Sequence, residues 1–276
     1  MTATLRWLTA LTCTFFVASA APLPARAAER LSDKQLDALI DSIDKGFDKW
    51  KDALEKRNYD DAVITSAAGT INVKQFLNDF EKDIDTLKDR VSDSYAANTE
   101  AVSLLRRASD VDKRYAERQG QGVGASEWAA LGTQFGALAA AYGAPWPTIT
   151  DSTGIGRLTD KQMATQLKGV ETNAKRLADE ASKAGKNKSV DQVAVGTVKD
   201  QCKLVGTYSK DVGSRVKDGR PASGEVAQLL AATRAAGQAA SKLPLSPAGA
   251  TAWSSLDQSA AALARAFGQP WTMMAR

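Results

Sequence analysis

Any reaction centre in this chain has to be built without histidine, since none occurs among its 276 residues. That removes the usual general base, the C-x-x-C-H attachment of haem and the Glu-x-x-His ligand pairs of di-iron helical bundles. Two cysteines are present, Cys13 and Cys202. Cys202 falls within an apolar helical stripe, where a thiol is held protonated and behaves as a small hydrophobic side chain. The acids of the first helix, Asp33, Asp37, Asp41, Asp44, Asp48 and Asp52, alternate with lysines outside that helix's apolar stripe. They read as a solvated face with i,i+4 pairing rather than as a metal site. No phosphate-binding loop, nucleophile elbow or dinucleotide fingerprint is present, and Gly154-Ile155-Gly156 has no strand before it. The sequence therefore carries no positive signal for catalysis, a metal or a cofactor.

Aromatic residues are the remaining candidates for function, and they come in pairs. Trp128 to Pro147 reads WAALGTQFGALAAAYGAPWP, and Trp253 to Thr272 reads WSSLDQSAAALARAFGQPWT. An offset of 125 pairs Trp128 with Trp253, Leu131 with Leu256, Leu138 with Leu263, Tyr142 with Phe267, Pro145 with Pro270 and Trp146 with Trp271. Tyr142, Trp146, Phe267 and Trp271 are thus candidate binding residues at the ends of two equivalent helices. Their symmetric placement equally suits aromatic plugs that close the ends of two cores.

The elements that must position these residues follow from periodicity. Leu36, Ile40, Ile43, Phe47, Trp50 and Leu54 recur at alternating steps of four and three, which puts them on one helical stripe. Val73, Leu77, Phe80, Ile84, Leu87 and Val91 repeat the spacing, with Asn58 to Thr70 between the two runs read as a loop. Adding 127 to the first stripe gives Met163, Leu167, Val170, Ala174, Leu177 and Ala181, and adding 125 to the second gives Val198, Cys202, Val205, Ser209, Val212 and Val216. Leu31-Ser32-Asp33-Lys34-Gln35 and Leu158-Thr159-Asp160-Lys161-Gln162 are matching capping boxes at the start of each set. A third helix follows near Asn98, with Leu104, Ala108, Val111 and Tyr115 on its stripe and Leu229, Thr233, Ala236 and Ala240 as counterparts. A helix apolar on one stripe only cannot stand alone. The expectation is an all-α protein, a tandem duplication of a four-helix up-down bundle module of about 125 residues, spanning 28–147 and 158–276 with a linker at 148–157.

Residues 1–27 carry a short basic start, an apolar run from Trp7 to Ala21 and the A-x-A pattern Ala25-Arg26-Ala27, as in a cleaved secretory signal. The run is shorter than the ~20 residues that span a bilayer, so no transmembrane segment is expected after cleavage. Removal leaves one cysteine, hence no intrachain disulfide, and 34 basic against 32 acidic residues. The two halves differ in charge: residues 31–147 hold 15 basic and 20 acidic residues, and residues 148–276 hold 18 and 11. Such opposites could attract each other, or the basic half could face an envelope protein or an anionic surface. Aromatic and basic residues are not interleaved, and with export this argues against nucleic acid as a partner.

Three stretches, FLNDFEKDIDTL from Phe76 to Leu87, Val102 to Ala108 with Leu104-Leu105-Arg106-Arg107, and the W-x2-L-x6-LA-x2-Y pattern from Trp128 to Tyr142, resemble small secreted bacterial helical proteins of no known activity. The resemblance covers the first half well. The second keeps the Trp, Leu and Pro-Trp framework but departs at Phe76, Phe80 and both arginines. It implies a helical fold and bacterial export, to the periplasm or the exterior, without supplying a site. The expected role is that of a non-enzymatic binding or interaction protein. The alternative is a carrier of a lipid or other apolar ligand, held among the small alanines of the second half.

Overall fold

The computed structural model describes residues 30–59, 61–66, 69–149 and 156–272; the signal-like segment and the central part of the expected linker lie outside them. Among the described residues the architecture is a helical bundle fold of eight helices with one short two-stranded sheet. The order is α1 (Asp33–Glu55), β1 (Val63–Ser66), β2 (Gly69–Asn72), α2 (Val73–Ser92), α3 (Asn98–Glu117), α4 (Ala125–Ala141), α5 (Asp160–Ala184), α6 (Gln192–Lys217), α7 (Ser223–Ala240) and α8 (Pro247–Ala266). Among the described residues no helix is long and apolar enough to cross a membrane.

Local chemistry sets the helix starts. Ser32 accepts from the Gln35 amide while Gln35 returns to the Ser32 amide, and Thr159 and Gln162 repeat both bonds at α5. Asn72 caps α2 through the Gln75 amide, and Ser246 caps α8 with Pro247 in its first turn. At α4 the cap is Gly124, at φ 73°, where an added Cβ would lie 2.8 Å from the Trp50 ring. Both the left-handed backbone and the close approach of the indole require glycine there.

The apolar stripes face inward as their spacing dictates. The α1, α2, α3 and α4 stripes share one core, and those of α5, α6, α7 and α8 share a second. In the first set α1 packs on α2 and α4, α2 on α3, and α3 on α4; in the second α5 packs on α6 and α8, α6 on α7, and α7 on α8. The first core is aromatic: Phe47 and Phe80 stack at 4.9 Å, Trp50 meets Trp128 at 4.9 Å, and Phe80 meets Phe135 at 5.8 Å. In the second core, alanines take much of that space, with Ala236 and Ala260 fully buried.

One expectation is corrected. The stretch read as a loop, Asn58 to Thr70, holds β1 and the first half of β2, whose antiparallel hairpin pairs Val63 with Asn72, Ile64 with Ile71, Thr65 with Thr70 and Ser66 with Gly69. Its β-branched residues favour extended backbone, a signal hidden by the neighbouring Asn, Asp, Ser and Gly. The second half does without the hairpin: α5 and α6 are longer than α1 and α2, and α6 starts at the position equivalent to residue 67.

Phe80 is fully buried within a stack of rings, whereas its counterpart Val205 is buried among smaller groups. Phe80→Ala is expected to lower the free energy of unfolding by about 3–5 kcal/mol and Val205→Ala by roughly 1–3 kcal/mol, read by urea denaturation at unchanged slope.

Candidate functional site

The four aromatic residues singled out by the repeat lie at the end of each helical set where α1 and α5 begin. Tyr142 and Phe267 are each 1% exposed and close the cores where α4 and α8 stop. Burial pushes the Tyr142 hydroxyl well above the ordinary tyrosine range. Trp146 folds back onto Phe135, ring centroids 5.8 Å apart, over Gly136, which has no side chain to block it. Trp271 folds back likewise: its Nε1 donates to Oδ1 of buried Asp257 at 3.1 Å, and the Arg234 guanidinium sits 5.1 Å from its ring centroid. Each half-buried indole thus has one face committed to its own half.

The same end holds an arrangement that residue types alone did not reveal. Arg30 precedes α1 and Arg157 precedes α5, and each reaches across to the other half. Arg30 Nη2 donates to the Leu158 carbonyl at 2.7 Å and to Asp160 Oδ1 at 2.6 Å. Arg157 Nη2 donates to Asp33 Oδ1 and to the Leu31 carbonyl. Between them the Asp160 amide donates to Asp33 Oδ2 at 2.9 Å, and the Asp33 amide to Asp160 Oδ2 at 3.1 Å. Every contact made by one half is returned by the other at an offset of 127, so the two helix starts form a reciprocal clasp of R-L-[ST]-D-K-Q segments. Each carboxylate sits at a helix N-terminus, where the backbone dipole and free amides favour negative charge.

Both arginine side chains are almost fully buried, at 2% and 1% exposure, against 29% for Asp33 and 35% for Asp160. Burial, then the neighbouring Arg157, lowers the pKa of Arg30. The clasp makes Arg157, expected to be linker, part of the first half's surface: its amide donates to Asn98 Oδ1 at 3.1 Å. Arg30 in turn lies beside Val216, Gly219, Ala222 and Phe267 of the second half. Each half supplies one cation and one anion to the clasp. A sequence signal did exist, since Arg stands two residues before both capping boxes.

At the opposite end of α1, about 35 Å away along a 23-residue helix, an open cleft of about 260 Å³ enters the first half. Its inner wall is Trp50, Leu54, Val73 and Val111, all buried, with Phe76 and Tyr115 half-buried above them. Tyr59, 42% exposed, stands at the mouth with Arg114 and Arg118. The polar atoms inside are already used. Trp50 Nε1 donates to Tyr115 Oη at 3.0 Å, and Tyr115 Oη donates to the Val123 carbonyl at 2.6 Å. Burial is the main cause that raises the Tyr115 pKa. The cleft thus offers apolar and aromatic surface without a free hydrogen-bonding group among these wall residues.

The aligned positions of the second half replace this wall with smaller or polar groups. Leu177, Ala181, Gln201, Ala236, Ala239, Ala240 and Leu243 stand where the first half has Trp50, Leu54, Phe76, Val111, Arg114, Tyr115 and Arg118. A cavity among the second half's alanines was the expectation for a carrier; this wide cleft instead belongs to the first half. Periodicity placed Trp50 and Tyr115 on core stripes, and nothing in it marked Tyr115 as half-covered.

Cys202 is 5% exposed, and burial pushes its thiol up to about 12. Among the described residues no group of three or more Cys, Asp or Glu side chains is placed to hold a metal ion. No protein-family model, no curated protein and no solved structure matches the chain.

Two outcomes test this geometry. Asp33→Ala and Asp160→Ala each leave a buried guanidinium without its carboxylate, so each is expected to cost about 2 kcal/mol, below the usual penalty for a buried pair because both carboxylates are partly solvated. Near-equal losses in urea unfolding would reflect the reciprocity; a loss confined to one of them would contradict it. An aromatic disulfide reagent at about pH 8 should leave Cys202 unmodified in the folded chain and label it once urea is added.

Proposed function

We propose that the chain is an exported, non-enzymatic binding protein, built as a tandem duplication of a four-helix bundle module, which takes an apolar group into the end cleft of its first module. The observation that carries this reading is the cleft itself. Phe76 and Tyr115 present half-buried rings above the buried Trp50, with the internal hydrogen bonds already made. A concave, mostly apolar recess is the ordinary form of a small-ligand site. The absence of histidine and of a catalytic motif in the sequence supports binding over turnover. In this reading the second module is scaffold, held by the clasp at the far end, and the signal-like residues 1–27 direct the chain to the bacterial periplasm or exterior.

A neutral solvatochromic probe, N-phenylnaphthylamine, tests it. The folded chain should enhance the probe's emission with saturable binding. Phe76→Gln, which installs the residue found at Gln201 and changes a partly exposed position, should weaken binding at least ~tenfold with the helical circular dichroism unchanged. Undiminished binding by Phe76→Gln would place the probe elsewhere and overturn the proposal.

A further inference from the structure

The mouth of the cleft bears charge that its walls lack, and this restricts the ligand. Asp110, Arg114 and Glu117 project from the last two turns of α3 and Arg118 from its C-cap, all at the cleft. Asp110 is held by Lys113 at 3.5 Å. Arg114 and Arg118 make no ion pair or side-chain hydrogen bond among the described residues, although other arginines of the same half are paired, Arg107 with Asp83 at 2.8 Å and Arg90 with Glu100 at 3.4 Å. The four charges lining the mouth sum to zero, so the attraction for an anion is local to the two guanidiniums. Both cations and the aromatic wall are absent together from the second half, where Ala239 and Leu243 occupy the aligned positions.

We infer that the cleft's ligand is a monoanionic amphiphile, a single apolar body ending in a carboxylate, with the body against Trp50, Phe76 and Tyr115 and the carboxylate between Arg114 and Arg118. The inference rests on the binding role proposed above and names its ligand class. Arginine suits the head group because its planar fork can meet a carboxylate through two parallel bonds. The interior suits the tail because a polar group placed there would find no free partner among the wall residues, at a desolvation cost that selects against it. Size agrees: an apolar cavity of ~150 Å³ accommodates benzene, so 260 Å³ accommodates a body of roughly ten carbons.

The charge pattern also selects a free molecule over a lipid surface. Residues 31–147 carry five more acids than bases, and Asp110 and Glu117 flank the opening. An anionic bilayer would be repelled by that field, whereas one carboxylate reaches two guanidiniums at short range.

Calorimetric titration of the full chain with decanoate and with 1-decanol, both below their aggregation limits, decides the matter. Decanoate is expected to bind at least ~tenfold more tightly than decanol at low salt, with the gap narrowing as salt is added. The double variant Arg114→Gln/Arg118→Gln is expected to bring decanoate down to decanol's affinity while leaving decanol unchanged. Equal affinities in the unaltered chain would overturn the carboxylate assignment and leave the proposed apolar binding role in place. Binding of neither compound would overturn both. Cosedimentation with phosphatidylglycerol vesicles in the absence of decanoate binding would make the occupant a lipid surface and overturn the assignment of a free ligand.

Discussion

Each helix of this protein is apolar along a single stripe, and that constraint governs the rest. A lone amphipathic helix of about 20 residues is marginal in water, so its stripe has to be covered by others. Among the described residues the covering comes from packing, with Cys202 free and buried. Leu36 to Leu54, Val73 to Val91, Met163 to Ala181 and Val198 to Val216 all turn inward, and two cores result, one for α1 to α4 and one for α5 to α8. The ring contents differ while the enclosure is the same. Phe47, Trp50, Phe80, Trp128 and Phe135 fill the first, whereas alanines in α7 and α8 help fill the second.

Where the two cores meet, the contact is polar and self-complementary. A pair of R-L-[ST]-D-K-Q segments exchange arginines, carboxylates and backbone amides, each atom type finding the same partner type in the other half. This is the isologous geometry of a two-fold interface between identical subunits, here closed within one chain. A buried guanidinium is costly without its carboxylate, so arrangements of the two halves that part Arg30 from Asp160 or Arg157 from Asp33 are disfavoured. The capping boxes make this possible by fixing each helix start, and with it the amide that the opposing carboxylate must meet.

The two ends of the first half have opposite characters. At the clasp end Tyr142, Trp146 and the reaching Arg157 cover the core. At the other end the hairpin occupies the chain between α1 and α2 in place of a continued helix, and the core stays open beside Trp50 and Tyr115. In the second half α5 and α6 lengthen across the equivalent region, and Leu177, Gln201 and Ala240 stand in place of the three rings. Similar helical stripes therefore serve two purposes, one half presenting aromatic surface and the other completing the frame.

Much of this fold is legible in residue order. The alternating steps of four and three mark the buried faces of α1, α2, α5 and α6, because helix geometry maps spacing directly onto one side of a cylinder. Ser32, Thr159, Asn72 and Ser246 mark helix starts, because capping depends on a side chain and an amide three residues apart. What residue order could not decide was long-range. The clasp joins atoms 124 to 130 positions apart, and the cleft exists because the packing of the helices leaves Phe76 and Tyr115 half-covered above the buried Trp50. Local spacing determines which face of a helix is apolar; only the tertiary arrangement decides whether that face is sealed, clasped or left open, since this depends on groups that become neighbours only when the chain has folded.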